Sequence, residues 1–74
     1  MNIKQKYGKR LKELRLIGGL SQEAFSHECS LDRTYIASIE SGKRNISIEN
    51  IERIATALNM TVIDFFNSEI FSGD

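Results

Sequence analysis

The chain has no proline and no tryptophan, and its 74 residues include one cysteine and one histidine. Cys29 alone excludes an internal disulfide, and one cysteine with one histidine cannot furnish a four-ligand zinc set. No apolar run approaches the roughly 18 residues of a membrane span. The start, Met1-Asn2-Ile3-Lys4-Gln5-Lys6, lacks the apolar stretch of a signal peptide, so the asparagines of Asn45-Ile46-Ser47 and Asn59-Met60-Thr61 match glycosylation sequons by chance. A glycine-rich phosphate loop, a paired-carboxylate cleft and metal-ligand spacing are all missing. His27 and Cys29 do not supply a nucleophile and base, because two residues apart on a helix they point about 200° from each other. The expectation is a cytoplasmic protein without enzyme activity, cofactor, metal, small-molecule substrate or membrane partner.

What is present suits one small domain spanning residues 1–74. A chain of this length buries only about 60% of its unfolded surface, enough for one core and too little for a cleft between lobes. Apolar residues at 41% and charged residues at 27% sit near globular averages, which argues against disorder. Net charge is zero but graded: residues 1–17 carry +5, residues 18–45 carry −1 and residues 46–74 carry −4. A basic end suits a polyanion, although a solvated helix face gives the same pattern.

Most of the five glycines separate helically periodic segments. Ile3, Tyr7, Leu11 and Leu14 make residues 3–17 an amphipathic helix, stopped by Gly18-Gly19. Ser21 caps a short second helix to about Glu28, with Leu20, Ala24, Phe25 and Cys29 inward. Asp32 caps a third to about Ser41, with Ile36 and Ile39 inward and Gly42 closing it. Ser47 caps a fourth carrying Ile48, Ile51, Ile54, Ala55 and Leu58. Thr61 and Asp64 open a fifth with Val62, Phe65 and Phe66. The predicted architecture is all-α: five short helices around one core.

The second and third helices, spanning about 21–41, have the length and spacing of a helix-turn-helix unit, whose second helix lies in the major groove of DNA. The residues sharpen this: Gly19-Leu20-Ser21-Gln22-Glu23-Ala24-Phe25, then Leu31-Asp32-Arg33-Thr34-Tyr35-Ile36, then Ile39-Glu40-Ser41-Gly42-Lys43-Arg44. Over roughly residues 4–66 the chain resembles the phage-repressor-type (XRE-like) helix-turn-helix family. Residues 31–36 and 42–47 are similar to controller proteins of restriction-modification systems. The resemblance implies a lambda-repressor-like DNA-binding domain acting as a homodimeric transcription regulator on a near-symmetric operator. It also implies an ion pair between Arg15 and Glu40, tying the first helix to the third. Many family members carry glycine where Ser30 stands here, and a left-handed Ser30 would cost about 1 kcal/mol.

Independently of the resemblance, Ile36 and Ile39 define the buried side of the third helix, which turns Thr34, Ala37, Ser38 and Ser41 outward with Arg33 and Tyr35 beside them. A solvent-facing helix usually carries Glu and Lys, whereas small residues let a helix approach groove walls. Arg33 is the candidate for guanine O6 and N7. Thr34 and Tyr35 are expected to add a thymine-methyl or phosphate contact. Lys43, Arg44 and Asn45 form a basic loop suited to phosphates, as are the capped helix starts at Ser21-Gln22 and near Asn50. Lys9, Arg10 and Lys12 read as a solvated basic face.

For pairing, the acidic C-terminal third supplies Met60, Val62, Ile63, Phe65 and Phe66, followed by Ile70 and Phe71. One short helix cannot turn all of these inward, so helices at about 47–66 are expected to carry a dimer interface. A phage-type repressor, an antitoxin-like DNA binder and a non-DNA protein-interaction module remain as alternatives. The length leaves little room for the extra toxin-binding or oligomerisation segments that the first two usually need.

Overall fold

A short polar side chain stands before every helix and accepts a hydrogen bond from a backbone amide in the first turn. The computed structural model describes residues 1–73, in which these caps open five α-helices: α1 (Ile3–Ile17), α2 (Gln22–Cys29), α3 (Arg33–Glu40), α4 (Ile48–Ala57) and α5 (Val62–Phe66). The cap residues are Asn2, Ser21, Asp32, Ser47 and Thr61. Asn2 and Gln5 cap reciprocally, each side chain accepting the other's amide at 2.9 Å. A single 3₁₀ turn, Glu69–Phe71, follows α5 and is too short to show a helical period in the sequence.

The first four helices end alike. A residue in the left-handed conformation reverses the chain, and the next amide reaches back five residues to a carbonyl: Leu20 to Arg15, Leu31 to Ser26, Lys43 to Ser38 and Met60 to Ala55, all at 3.0–3.1 Å. The left-handed residues are Gly19, Ser30, Gly42 and Asn59. Ser30, at φ 56°, therefore does carry the strain that its place in the turn suggests.

The core comprises Tyr7, Leu11, Phe25, Cys29, Ile36, Ile39, Ile54, Ala55 and Phe65, contributed by all five helices. Three residues assigned to apolar stripes are exposed instead: Ile3 at 62%, Ile48 at 80% and Val62 at 37%. Each is the first residue of its helix. Side chains there tilt toward the N-terminus, away from the rest of their own helix. Burial raises the pKa of the Cys29 thiol and of the Tyr7 hydroxyl.

Two features of α1 set its contacts with α3. Gly8 lies mid-helix, inside an element rather than between elements, and a Cβ there would overlap the Ile39 carbonyl oxygen and come within 3.0 Å of the Glu40 carbonyl. Two turns further on, Arg15 donates from Nε and Nη2 to the two Glu40 carboxylate oxygens at 2.7 and 2.9 Å. Its Nη1 donates to the Leu20 carbonyl at 2.7 Å, fastening the α1–α2 turn as well. The ion pair is buried, and the hydrogen bonds to Glu40 hold the Arg15 pKa above its ordinary value. No described helix is long and apolar enough to cross a membrane.

Candidate nucleic-acid interface

Ile36 and Ile39 are buried, so α3 is anchored along one side and presents the opposite one. Arg33 and Thr34 are exposed at its start, Ser41 just beyond its end, and Ala37 and Ser38 are half-buried between them. Asp32 accepts from the Thr34 hydroxyl at 2.6 Å and from its amide at 2.8 Å, which fixes the first turn. The same two bonds, the hydroxyl first, hold the Asp32 carboxyl below its ordinary pKa. Arg33 thus projects from a stiff helix start.

The other proposed contacts divide into open and engaged side chains. Lys43, Arg44 and Asn45 are exposed in the loop after α3. Arg44 is nonetheless held: its guanidinium lies 4.9 Å from the Tyr35 ring centroid, and its Nε donates to Ser38 Oγ at 3.1 Å. Ser38 Oγ donates in turn to the Tyr35 carbonyl at 2.8 Å, so its hydroxyl is occupied in both directions. The Tyr35 hydroxyl accepts from Asn50 Nδ2 at 3.1 Å, which links α3 to α4. Gln22 Nε2 donates to Glu40 Oε1 at 3.1 Å. Gln22, Ser38 and Asn50 are therefore braces within the protein as it stands.

Two helix starts flank this surface. Ser21 Oγ accepts from the Ala24 amide and Ser47 Oγ from the Asn50 amide, at 3.0 and 3.1 Å. The amides ahead of these, on Gln22-Glu23 and Ile48-Glu49, have no acceptor within their helices and suit an anion.

The expected pairing surface divides as well. Ile63 is 80% exposed, Val62 is exposed, and Met60 and Phe66 are half-buried. Phe65 is a correction: it is 1% exposed, stacked on Tyr7 with ring centroids 4.6 Å apart, and it belongs to the core rather than to an accessible face. Phe71 folds back onto Phe66, with centroids 4.8 Å apart, and helps to close the core. Arg10 departs from its reading as a solvated base. Its Nε donates to the Phe65 carbonyl at 2.8 Å and its Nη2 to the Asp64 carbonyl at 3.0 Å. Its sequence neighbourhood carries no sign of these partners.

A short two-helix unit with a left-handed turn and an anchored, sparsely charged second helix defines a helix-turn-helix protein, and residues 11–65 match the helix-turn-helix family. The relatives narrow this. Control protein C.MunI of Mycoplasma sp. is 46% identical over 67 residues, covering 89% of this chain and 90% of its own. The crystal structure of the restriction-modification controller protein C.AhdI from Aeromonas hydrophila superposes with a TM-score of 0.82 at 44% identity, covering 85% of this chain and 96% of that one. The controller protein C.Esp1396I, solved as a tetramer with its natural 35 base-pair operator, gives 0.83 at 35% identity, covering 89% and 87%. The chain belongs to the restriction-modification controller proteins of the helix-turn-helix family.

Proposed function

We propose that this chain is a cytoplasmic regulator that binds operator DNA as a homodimer, acting by occupancy and not by chemistry. In this reading α3, the second helix of the helix-turn-helix unit at residues 21–41, enters the major groove, and α4 and α5, within about 47–66, pair the subunits. The observation that carries it is the exposed Arg33 at the capped start of α3, on a face otherwise built of small uncharged side chains. Arg33 reads a guanine edge, Thr34 and Tyr35 add a methyl or phosphate contact, and Lys43, Arg44 and Asn45 grip the backbone. Ser21, Gln22 and Asn50 bring helix-start amides to phosphates, while the side chains of Gln22, Ser38 and Asn50 keep the unit rigid. Pairing through Met60, Val62, Ile63 and Phe66 sets two copies of α3 about 34 Å apart, one turn of DNA.

A mobility-shift titration on DNA from immediately upstream of the chain's own gene tests this. The shift should be abolished by unlabelled upstream DNA and not by bulk competitor. Arg33→Ala should cost about 1–3 kcal/mol on that DNA and relax specificity at one base position. Arg44→Ala should weaken all sequences alike and lower the salt slope by about one phosphate. Equal loss of cognate and random DNA on Arg33→Ala would refute the base-reading role.

A further inference from the structure

Helix α5 has five residues, too few to hold itself together, and its final carbonyls have no amides within the helix to accept from. Two of them, on Asp64 and Phe65, receive the forked guanidinium of Arg10 from α1. One turn earlier on the same side of α1, Tyr7 stacks on Phe65. Together these contacts fix both the position of α5 and its rotation about its own axis. With Phe65 held inward, Ile63, two residues earlier, must point outward, and it is the most exposed large apolar residue of α5.

The same α1 is seated on α3 through Gly8 and the Arg15–Glu40 pair. Helix α1 is therefore the spine that joins the pairing helix to the reading helix. We infer that Arg10 is a positioning residue for dimer assembly: by clamping the C-terminal end of α5 it sets the apolar face on which a second copy of this chain seats. This inference rests on the proposed pairing through α5. It also assigns to protein–protein assembly a cation that its place in a basic helix would assign to DNA. A guanidinium suits the task because two N–H groups in a rigid plane meet two successive carbonyls, which a lysine ammonium cannot reproduce.

The test compares the wild type with Arg10→Lys, Arg10→Ala and, as a charge control on the same helix, Lys9→Ala. Sedimentation equilibrium well below the melting temperature gives each dimer dissociation constant. Fluorescence anisotropy gives affinity for the upstream duplex and for a duplex cut to one half of the footprint. Arg10→Lys, which keeps the charge and the stem and so remains folded if Arg10→Ala does not, should weaken the dimer at least tenfold. It should lower affinity for the full duplex and leave the half-duplex within twofold of wild type, with Lys9→Ala unchanged in dimer strength. A dimer constant for Arg10→Lys within twofold of wild type would overturn the inference while leaving the pairing surface intact. So would an equal loss on half and full duplex, which marks general damage. A wild type that stays monomeric at micromolar concentration would overturn the pairing surface itself.

Discussion

Replacing Gly8 by alanine sets two opposed effects against each other, and the structure decides the sign. In an exposed helix interior the change should stabilise by about 1 kcal/mol, since glycine is the poorer helix former. At Gly8 the added methyl would overlap the Ile39 carbonyl oxygen and crowd that of Glu40. Neither atom is on a side chain that can rotate away, so α1 must lift from α3. Forcing an extra methyl into a packed contact costs about 1–3 kcal/mol, and a backbone obstacle puts this site at the upper end. The net expectation is a loss of about 1–2 kcal/mol, each kcal/mol lowering the melting temperature by roughly 4–8 °C in a domain of this size. Gly18→Ala is the internal control: Gly18 has φ −76°, and the nearest atoms to its added Cβ are at 3.5 and 3.6 Å, ordinary contact distances. It should be neutral or slightly stabilising. Urea denaturation of both variants with an unchanged m-value reads the difference, and a Gly8→Ala protein as stable as the wild type would refute the close-approach argument.

Arg15→Ala strands the Glu40 carboxylate in a buried site and should cost about 3–5 kcal/mol, so calorimetry should register the loss before any change in DNA contact is resolved. Ser30→Gly relieves a left-handed serine and should raise stability by up to about 1 kcal/mol in the same denaturation assay; a loss would mean that the serine side chain does something useful in the turn. Stability should also decline on the alkaline side. The fold keeps Cys29 and Tyr7 protonated beyond their unfolded values of 9.0 and 10.0, so their contribution is full below pH 9 and falls as the unfolded chain ionises above it. Tyr7→Phe, which removes a buried hydroxyl without a partner among the described residues, should flatten the decline above pH 10 and cost nothing at pH 7. Chemical denaturation at stepped pH measures both effects.

The helix boundaries were legible because the chemistry that makes them is local. Ser21, Asp32, Ser47 and Thr61 each bond an amide two or three residues ahead, and Gly19 and Gly42 reverse the chain where the apolar period breaks. The outward side of α3 was legible for the same reason, since Ile36 and Ile39 fix it within one helix. Gly8 was not, because the need for a glycine comes from carbonyls more than thirty positions along the chain. Arg10 was not either, its acceptors being 54 and 55 residues away. Helical period also does not distinguish the first residue of a helix from those that follow, and Ile3, Ile48 and Val62, each in first position, lie in solvent. In the candidate site, periodicity gave the direction of Ser38 and the Ser47 cap placed Asn50 at a helix start, but neither signal carries the contacts that Arg44 and Tyr35 make with them.

The inward commitment of α1 cations bears on how such a protein would search a genome. Of the six bases ahead of Gly18, Arg15 is bound to Glu40 and Leu20, Arg10 to the end of α5, and Lys6 Nζ lies 3.5 Å from the Gly73 carbonyl. Non-specific affinity comes almost wholly from counterions released by cations at phosphates, at roughly 0.9 of a power of salt concentration for each phosphate neutralised. With half of that helix's bases turned to internal work and no net charge to draw it in, the chain should hold random sequence weakly and leave it quickly. Sliding along bulk DNA would then be brief, and few copies would be lost to the excess of wrong sites. Discrimination would fall to the side chains that touch base edges and to the simultaneous engagement of two subunits.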